Sequence, residues 1–569
     1  MIEKIKKALQ EELEAKLKEL FKEEILVTIE EPKKAGQGDI SVPVFSIVKT
    51  VKKPLPEISL LVKALIEQGK NAKFIQSISS IGGFINITLK KRVFSLAVLD
   101  DFQTRQANYG AWDFGKGQVV CIDYSSPNIA KPFSIGHLRS TIIGHSLGNL
   151  LEKCGYKVVR INHLGDFGTQ FGKIIYAYLN FGSEELVKEN PIEELVKLYV
   201  EFHELAKEHP EMEDAAREIF KELELNNPKY VKLWQWFRDE SLKDYMQIYK
   251  LLNVDFDTYD GEAFYNDKMQ PVIDELKAKG LLKLDEGAMI VDLGKDIPPA
   301  LIQKSDGSTL YITRDLAALF YRKNTYHFDK ALYVVGNEQK LHFEQLRQVI
   351  DKMGYPYKEE IVHINFGLVL QDGKKMSTRK GKIVKLGDVL NEAILLSKQY
   401  IEDKNPDLEN KDEIARKIGV SAIVFNDLKN YRVNDFEFNL EDMVNFFGQT
   451  GPYLQYTSVR INSILSEEDF VFDKVVSSEW FDVDYVFDIV KEISLYQGII
   501  RKSVEEYSPS VLAKYLLNLA SLFNSFYGKE KILVADTLEK NTKLHLLTMV
   551  KNVLNDGMLL LGMQLIDRM

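Results

Sequence analysis

Between Gly117 and Asn162 the chain passes through a short β-rich run, a polar turn, an apolar-striped helix and a second β-rich run. Gln118-Val119-Val120-Cys121-Ile122-Asp123 suits a buried parallel strand, because both of its faces are apolar. The turn that follows holds Pro127 and Pro132. The spacing predicts a helix from about Gly136 to Cys154, with Leu138, Ile142, Leu147, Leu150 and Leu151 near one face and a stop at Gly155. Lys157-Val158-Val159-Arg160-Ile161-Asn162 is strand-like again. Strand, helix and strand in this order make the βαβ unit of a doubly wound sheet.

The rhythm breaks over about 180–260, a charged helical stretch with Trp234 and Trp236 near its end, which has the character of an insertion. It resumes with a strand over Ala331–Gly336, a helix over Leu341–Met353 and a strand over Ile361–Leu370. The expected fold class is therefore α/β, with a Rossmann-type parallel-sheet domain over 113–385. Ahead of it, residues 1–112 pair an amphipathic N-terminal helix with strand-like pieces such as Gly83–Leu89, as a small α+β domain. Beyond it the chain is expected to be nearly all helix: a connecting region over 386–446 and a further domain over 447–569, with a turn signal at Thr450-Gly451-Pro452-Tyr453.

Composition excludes some classes. The 569 residues contain no apolar run fit to span a bilayer, and the N-terminus lacks the apolar core of a secretory signal, so a cytoplasmic protein with no membrane partner is expected. Cys121 and Cys154 lie apart without CxxC spacing, which argues against a disulfide framework or a Cys-rich structural metal. The net charge of −10 offers no bulk basic surface for nucleic acid.

Two segments carry chemistry. The first is Ser125-Ser126-Pro127-Asn128-Ile129-Ala130-Lys131-Pro132-Phe133-Ser134-Ile135-Gly136-His137, between first strand and helix. Free N–H groups at a helix start attract phosphate, Gly136 admits a ligand close to the backbone, and Lys131 and His137 supply donors. The second is Gly373-Lys374-Lys375-Met376-Ser377-Thr378-Arg379-Lys380-Gly381-Lys382, a basic loop suited to close over a triphosphate and stabilise departing pyrophosphate. Taken singly, an ordinary βα turn and a solvated basic loop explain them better. Each strengthens the other.

Ser134-Ile135-Gly136-His137 resembles the HIGH motif of class I aminoacyl-tRNA synthetases, and Lys375-Met376-Ser377-Thr378 resembles their KMSK loop. The longer strings SSPNIAKPFSIGHLRSTIIG and GKKMSTRKG, with NHLGDFGTQFG, YITRDLA, GPYLQY and the ending LLLGMQLIDRM, are similar to arginyl-tRNA synthetases in particular, over essentially the whole chain. Ser134 replaces the first HIGH histidine, and Thr378 replaces the last KMSK lysine. The resemblance implies ligation of L-arginine to arginine tRNA with ATP through an arginyl-adenylate. It further implies Mg²⁺ with the ATP, no structural metal, and tRNA bound before arginine is activated efficiently. A monomer is expected.

It also implies site residues. Ser134, Gly136, His137, His342, Lys375, Met376 and Ser377 would meet ATP, and Lys131 or Lys380 would replace the missing lysine, Lys131 being favoured. Asp123, Asn128, Tyr311, Asp315 and Gln339 would hold arginine. A guanidinium is a charged planar fork of donors, so carboxylates in its pocket make chemical sense. Tyr311 and Asp315, four apart, share a face if a helix starts nearby. The plainer roles are helix-start carboxylate for Asp315 and capping for Gln339 and His342.

The C-terminal helices resemble the DALR anticodon-binding domain, with Tyr527 and Met569 at base-packing positions and Pro509, Tyr515, Leu516, Leu519, Ala520, Phe523, Asn524 and Phe526 structural. That region holds 12 Lys and Arg against 16 Asp and Glu, so charge lends it no support. Three rivals remain open: another class I specificity, a small-molecule nucleotidyltransferase, and a non-catalytic tRNA-binding relative.

Overall fold

The computed structural model describes residues 1–569 except 33–35, 130, 305–310, 377, 380, 381, 469–471, 473–475 and 477; at 378, 379, 382, 383 and 478 only the backbone is described. At the N-terminus, helix Ile2–Phe21 buries Ile2, Ile5, Leu9, Leu13 and Leu17, the three-and-four spacing of an amphipathic helix. It accompanies a three-stranded antiparallel sheet in which Phe84–Leu89 lies between Ile40–Pro43 and Ile75–Ile81.

The central sheet is built from β1 (Val119–Asp123), β2 (Lys157–Ile161), β3 (Lys330–Tyr333) and β4 (Ile361–His363). Its order is β4-β3-β1-β2 and every pairing is parallel. Helix α1 (Leu138–Lys153) joins β1 to β2, α2 (Tyr311–Tyr326) precedes β3, and α3 (Lys340–Lys352) joins β3 to β4. The chain leaves β1 toward β2 on one side and returns to β3 on the other. The crevice between the ends of β1 and β3 is thus the switch point where doubly wound sheets receive ligands. Asp123 and Tyr333 stand level there as paired neighbours.

Two expectations need correction. The strand foreseen over Ile361–Leu370 is two strands in different sheets: Ile361–His363 ends the parallel sheet, while Val369–Gln371 pairs with Phe436–Glu437 and Lys374–Lys375. Between them the Gly367 N–H bonds the Arg432 carbonyl, turning the chain out of the sheet. Helix α1, expected to bury one apolar face, is buried nearly all round, Arg139, Ser140, Thr141 and Ser146 included. It lies between the sheet and later helices, so its polar side chains bond tertiary partners, as Ser146 Oγ does with the Leu560 carbonyl at 3.0 Å.

The inserted helices end with Pro228–Leu252, and an antiparallel sheet of Leu282–Asp285, Ala288–Val291 and Ala300–Gln303 follows, which periodicity did not announce. Among the described residues after 385 the regular elements are helices apart from Phe436–Glu437, as expected. The Thr450 side chain accepts from Tyr453 N–H at 3.2 Å and caps Gly451–Ser466. Pro509, Tyr515, Leu516, Leu519, Ala520, Phe523 and Phe526 are buried in helix Pro509–Tyr527, in keeping with structural roles. Among the described residues no helix is long and apolar enough to cross a membrane. Cys121 and Cys154 are buried and unbonded to each other.

Arg139 ties α1 to helix Lys411–Leu428. Its Nε lies 3.2 Å from Asp427, both side chains are 1% exposed, and its Nη1 donates to the Asn434 carbonyl at 3.0 Å. Its guanidinium also lies over the Phe436 ring at 5.1 Å. Removing one member of a buried pair strands the other charge. Arg139→Met is expected to cost about 3–5 kcal/mol in urea unfolding, with Arg139→Met/Asp427→Leu recovering most of the loss. Equal loss in single and double variants would mean that the pair is not what couples these helices.

Candidate active site

The turn after β1 is held in an unusual backbone shape: Ser125 and Ser126 have φ of 73° and 46°, a region that non-glycine residues rarely enter. Buried hydrogen bonds offset the strain. Ser125 N–H donates to Ser140 Oγ at 2.9 Å, and Ser125 Oγ meets the Tyr249 hydroxyl at 2.8 Å. Farther along, the Tyr245 hydroxyl lies 2.7 Å from the Asn128 carbonyl and 2.6 Å from that of Lys131. Both tyrosines come from inserted helix Pro228–Leu252, so the insertion buttresses the turn. The turn leaves the Asn128 and Lys131 side chains exposed. A Cβ on Gly165 would fall 2.4 Å from Asn128 Oδ1, which accounts for glycine there.

A 3₁₀ turn, Ile135–His137, leads into α1. Ser134 N–H donates to His137 Nδ1 at 3.1 Å, and Ser134 Oγ lies 3.2 Å from the same nitrogen. With Nδ1 accepting, the neutral ring carries its proton on Nε2. Burial pushes this imidazole down to about 4, and the nearby Lys131 charge acts in the same direction. His137 is thus a neutral donor, and Ser134 aims it. No protein atom demands glycine at 136, since a Cβ there would meet only Ser134 Oγ at 3.5 Å.

The second segment reaches this turn through the backbone. Ile135 N–H donates to the Val384 carbonyl at 3.0 Å, and Leu386 N–H donates to that of Phe133 at 2.8 Å. Ser134 and Lys385 form the antiparallel bridge between them. Upstream, Lys374–Lys375 pairs with Val369–Gln371, leaving Lys375 exposed, while Met376 is buried and packs into the core. Thr378–Arg379 pairs with Lys382–Ile383. Ser377 and Lys380 lie outside the described residues.

Across the switch point, α2 begins at Tyr311 and does put Tyr311 and Asp315 one turn apart. Tyr311 is 69% exposed, open to a ligand. Asp315 Oδ2 lies 2.5 Å from His342 Nε2 on α3. Burial works against its charged form, but the His342 contact outweighs it and holds the carboxyl below the usual range. Gln339 is exposed in the 3₁₀ turn before α3. Asp123 is already engaged: Arg322 Nη2 lies 2.8 Å from Oδ2, and Ser126 Oγ donates to Oδ1 at 3.0 Å.

Sequence reasoning missed Arg322, which stands on α2 with no motif to mark it. It also missed Glu262, whose carboxyl burial pushes up to about 7 while Arg314, 3.3 Å away, pulls it down. Only folding sets Glu262 beside Asp166 and Asp315, whose charges also raise it. Distant from this site, Tyr527 is 38% exposed, with the Arg460 guanidinium 5.0 Å from its ring centroid. Arg460 also lies over Tyr456 at 4.7 Å. Met569 is half-buried and packs against the small apolar cluster that includes Ile566 and Phe446.

Comparison with known proteins agrees with this geometry. Residues 103–440 match the family model of class I tRNA synthetases (R), catalytic domain. Residues 454–569 match the DALR anticodon binding domain, and residues 3–89 the arginyl tRNA synthetase N terminal domain. The arginine–tRNA ligase of Latilactobacillus sakei is 48% identical over 546 residues, 95% of either chain. That of Enterococcus faecalis is 48% identical over 552 residues, 97% of either chain. Among solved structures, Plasmodium falciparum arginyl-tRNA synthetase superposes with TM-score 0.83 at 27% identity, covering 100% of this chain and 99% of its own. The Thermus thermophilus arginyl-tRNA synthetase shares the fold with TM-score 0.85 at 23% identity, covering 99% of this chain and 100% of its own.

The burial of His137 is open to direct measurement. In an NMR titration its ring is expected to stay neutral on lowering the pH until about 4, with Nε2 protonated throughout. A midpoint near the ordinary histidine value, about 6.5, would show an exposed ring and remove the neutral-donor role.

Proposed function

The chain belongs to the arginyl-tRNA synthetases, and on that footing we propose how its residues divide the work. It ligates L-arginine to arginine tRNA with ATP, through arginyl-adenylate, releasing AMP and pyrophosphate. One observation supports the division most: the backbone bridge that sets the turn of His137 against the segment after Lys375, at the switch point of a parallel sheet.

In the first step a carboxylate oxygen of arginine attacks the α-phosphorus and pyrophosphate leaves. His137 donates from Nε2 to the α-phosphate, aimed by Ser134, and Gly136 leaves room for the phosphate against the backbone. Lys375 and Ser377 meet the departing phosphates. His342, which contacts Asp315, is assigned to the nucleotide. Met376 anchors the loop by its buried side chain and meets ATP through its backbone. Asp315 takes the guanidinium, with Asp123, Tyr311 and Gln339 at the same end of the substrate, while Asn128 faces its backbone groups. In the second step a ribose hydroxyl of the terminal adenosine attacks the activated carbonyl carbon and AMP leaves. No covalent enzyme intermediate is needed; alignment and preorganised charge do the work.

Mg²⁺ enters with the nucleotide, held by phosphate and water. On this reading the enzyme is a monomer of the cytoplasm. Tyr527, flat, partly exposed and backed by Arg460, is suited to stack on an anticodon base, with Met569 contributing from the chain end. Arginine-dependent charging of total tRNA by the purified chain tests the activity. No charging with arginine, or equal charging with another amino acid, would overturn it.

Asp315→Asn should raise the arginine KM by the equivalent of about 3–5 kcal/mol while ATP binding and folding stay nearly unchanged, because a desolvated guanidinium would lose its counter-charge. An unaltered KM in a folded variant would remove Asp315 from the pocket.

For the missing loop lysine, Lys131 is the replacement. It is near enough to act on the His137 ring, and Tyr245 fixes its carbonyl. Lys131→Ala should lower kcat for adenylate formation by about 10²–10³, the effect of losing one transition-state donor. Lys380→Ala should be mild. The opposite ranking in single-turnover assays would transfer the role to Lys380.

A further inference from the structure

Arg322 places a guanidinium of the protein's own inside a pocket meant for a guanidinium. It projects from α2 two turns beyond Asp315, on the same helix face. Its side chain is 2% exposed, and Nη2 lies 2.8 Å from Asp123 Oδ2 and 3.4 Å from His163 Nδ1. The other Asp123 oxygen accepts from Ser126. Both oxygens of Asp123 therefore have partners before any substrate arrives. Asp315, whose side chain is 27% exposed, meets the imidazole of His342. Both carboxylates, and Arg322 with them, lie within electrostatic reach of the buried Tyr333 hydroxyl.

We propose that Arg322 sets the charge of the amino-acid pocket: it neutralises Asp123, so that Asp315 alone reads the incoming guanidinium and thereby fixes the register of the substrate. Without Arg322 the pocket would offer a second carboxylate, Asp123, at 10% exposure more buried than Asp315 at 27%. A buried charge without a partner recruits the nearest cation, which here is the substrate side chain. Arginine seated on Asp123 would hold its own carboxylate away from the α-phosphorus. Such unproductive binding lowers kcat without weakening apparent affinity. The converse change also has a defined sign. Without the Asp123 charge, Arg322 would stand as an unpaired cation beside the site and repel arginine. Arg322 touches no reacting atom in this scheme; it is a positioning residue that acts through Asp123.

The proposal rests on Asp315 being the guanidinium-binding carboxylate, so Asp315→Asn is run alongside. In steady-state tRNA charging, Arg322→Met is expected to lower kcat on the order of tenfold with the arginine KM unchanged or lower. Asp123→Asn is expected to raise the arginine KM on the order of tenfold with kcat largely kept. The ATP KM should hold in both, and Arg322→Met/Asp123→Asn should regain most of both losses, because charge balance is restored. Opposite signatures from two halves of one ion pair are what a merely structural bridge cannot give. Parallel losses in both single variants, with lower melting temperatures, a raised ATP KM and no recovery in the double variant, would overturn the proposal. Should Arg322→Met fail to fold, Asp123→Asn and Arg322→Lys decide: the lysine variant should keep the arginine KM that Asp123→Asn raises, and equal KM values would reject the charge role. If Asp315→Asn alone leaves the arginine KM unaltered, the underlying assignment fails instead, whatever the Arg322 variants do.

Discussion

Two backbone hydrogen bonds, from Ile135 to Val384 and from Leu386 to Phe133, join segments that the sequence separates by several other elements. A backbone bridge carries no side-chain specificity, and that is its value here. It fixes the spacing between two loops while leaving their side chains free for a ligand. Everything assigned to phosphate chemistry depends on that spacing. His137 begins one arm, the basic hairpin precedes the other, and the crevice between β1 and β3 opens beneath them.

Around this bridge the molecule places charge sparingly. His137 is kept neutral by burial and aimed by a serine, so it offers a proton without adding a cation. Buried ionic groups come in pairs: Arg322 with Asp123, Arg314 with Glu262, Arg238 with Asp166. Paired charges in a low-dielectric pocket hold geometry without attracting stray ions. The side chains with free reach, Lys131, Lys375 and Tyr311, are the exposed ones. Preorganised dipoles and a few accessible cations are what adenylate formation asks of a protein that makes no bond to its substrate.

Rigidity comes from elements outside the sheet. Helix α1 is clasped by Asp427 through Arg139 and by the final long helix through Ser146, and Tyr245 and Tyr249 of the insertion hold the turn before it. The segment carrying the ATP turn is therefore packed against connecting, inserted and C-terminal helices at once. Phe436, which stacks on Arg139, also pairs with Val369 of the hairpin sheet, so the same contact network reaches the basic loop.

The sequence by itself determined the local elements and the chemistry they carry. Period and composition announced β1, α1, β2 and α3 within a few residues, and the helix starting at Tyr311 put Asp315 where a one-turn spacing required. The ordered motifs identified the family because they span the whole chain. Local pattern was blind wherever the decisive partner lies far off in sequence. Ile361–Leu370 has the β-propensity of one strand, yet the Gly367–Arg432 bond breaks it into two sheets. Short exposed strands such as Leu282–Asp285, at 4 residues, are too brief for their apolar alternation to stand out. Met376 sits inside a ligand-binding motif and still faces the core. Asp123 stood out as a candidate carboxylate but not as a paired one, because Arg322 meets it only once α2 has packed beside β1. Propensity and periodicity act over a turn or two of chain. Which charge meets which is decided by packing, and packing exists only in the tertiary fold.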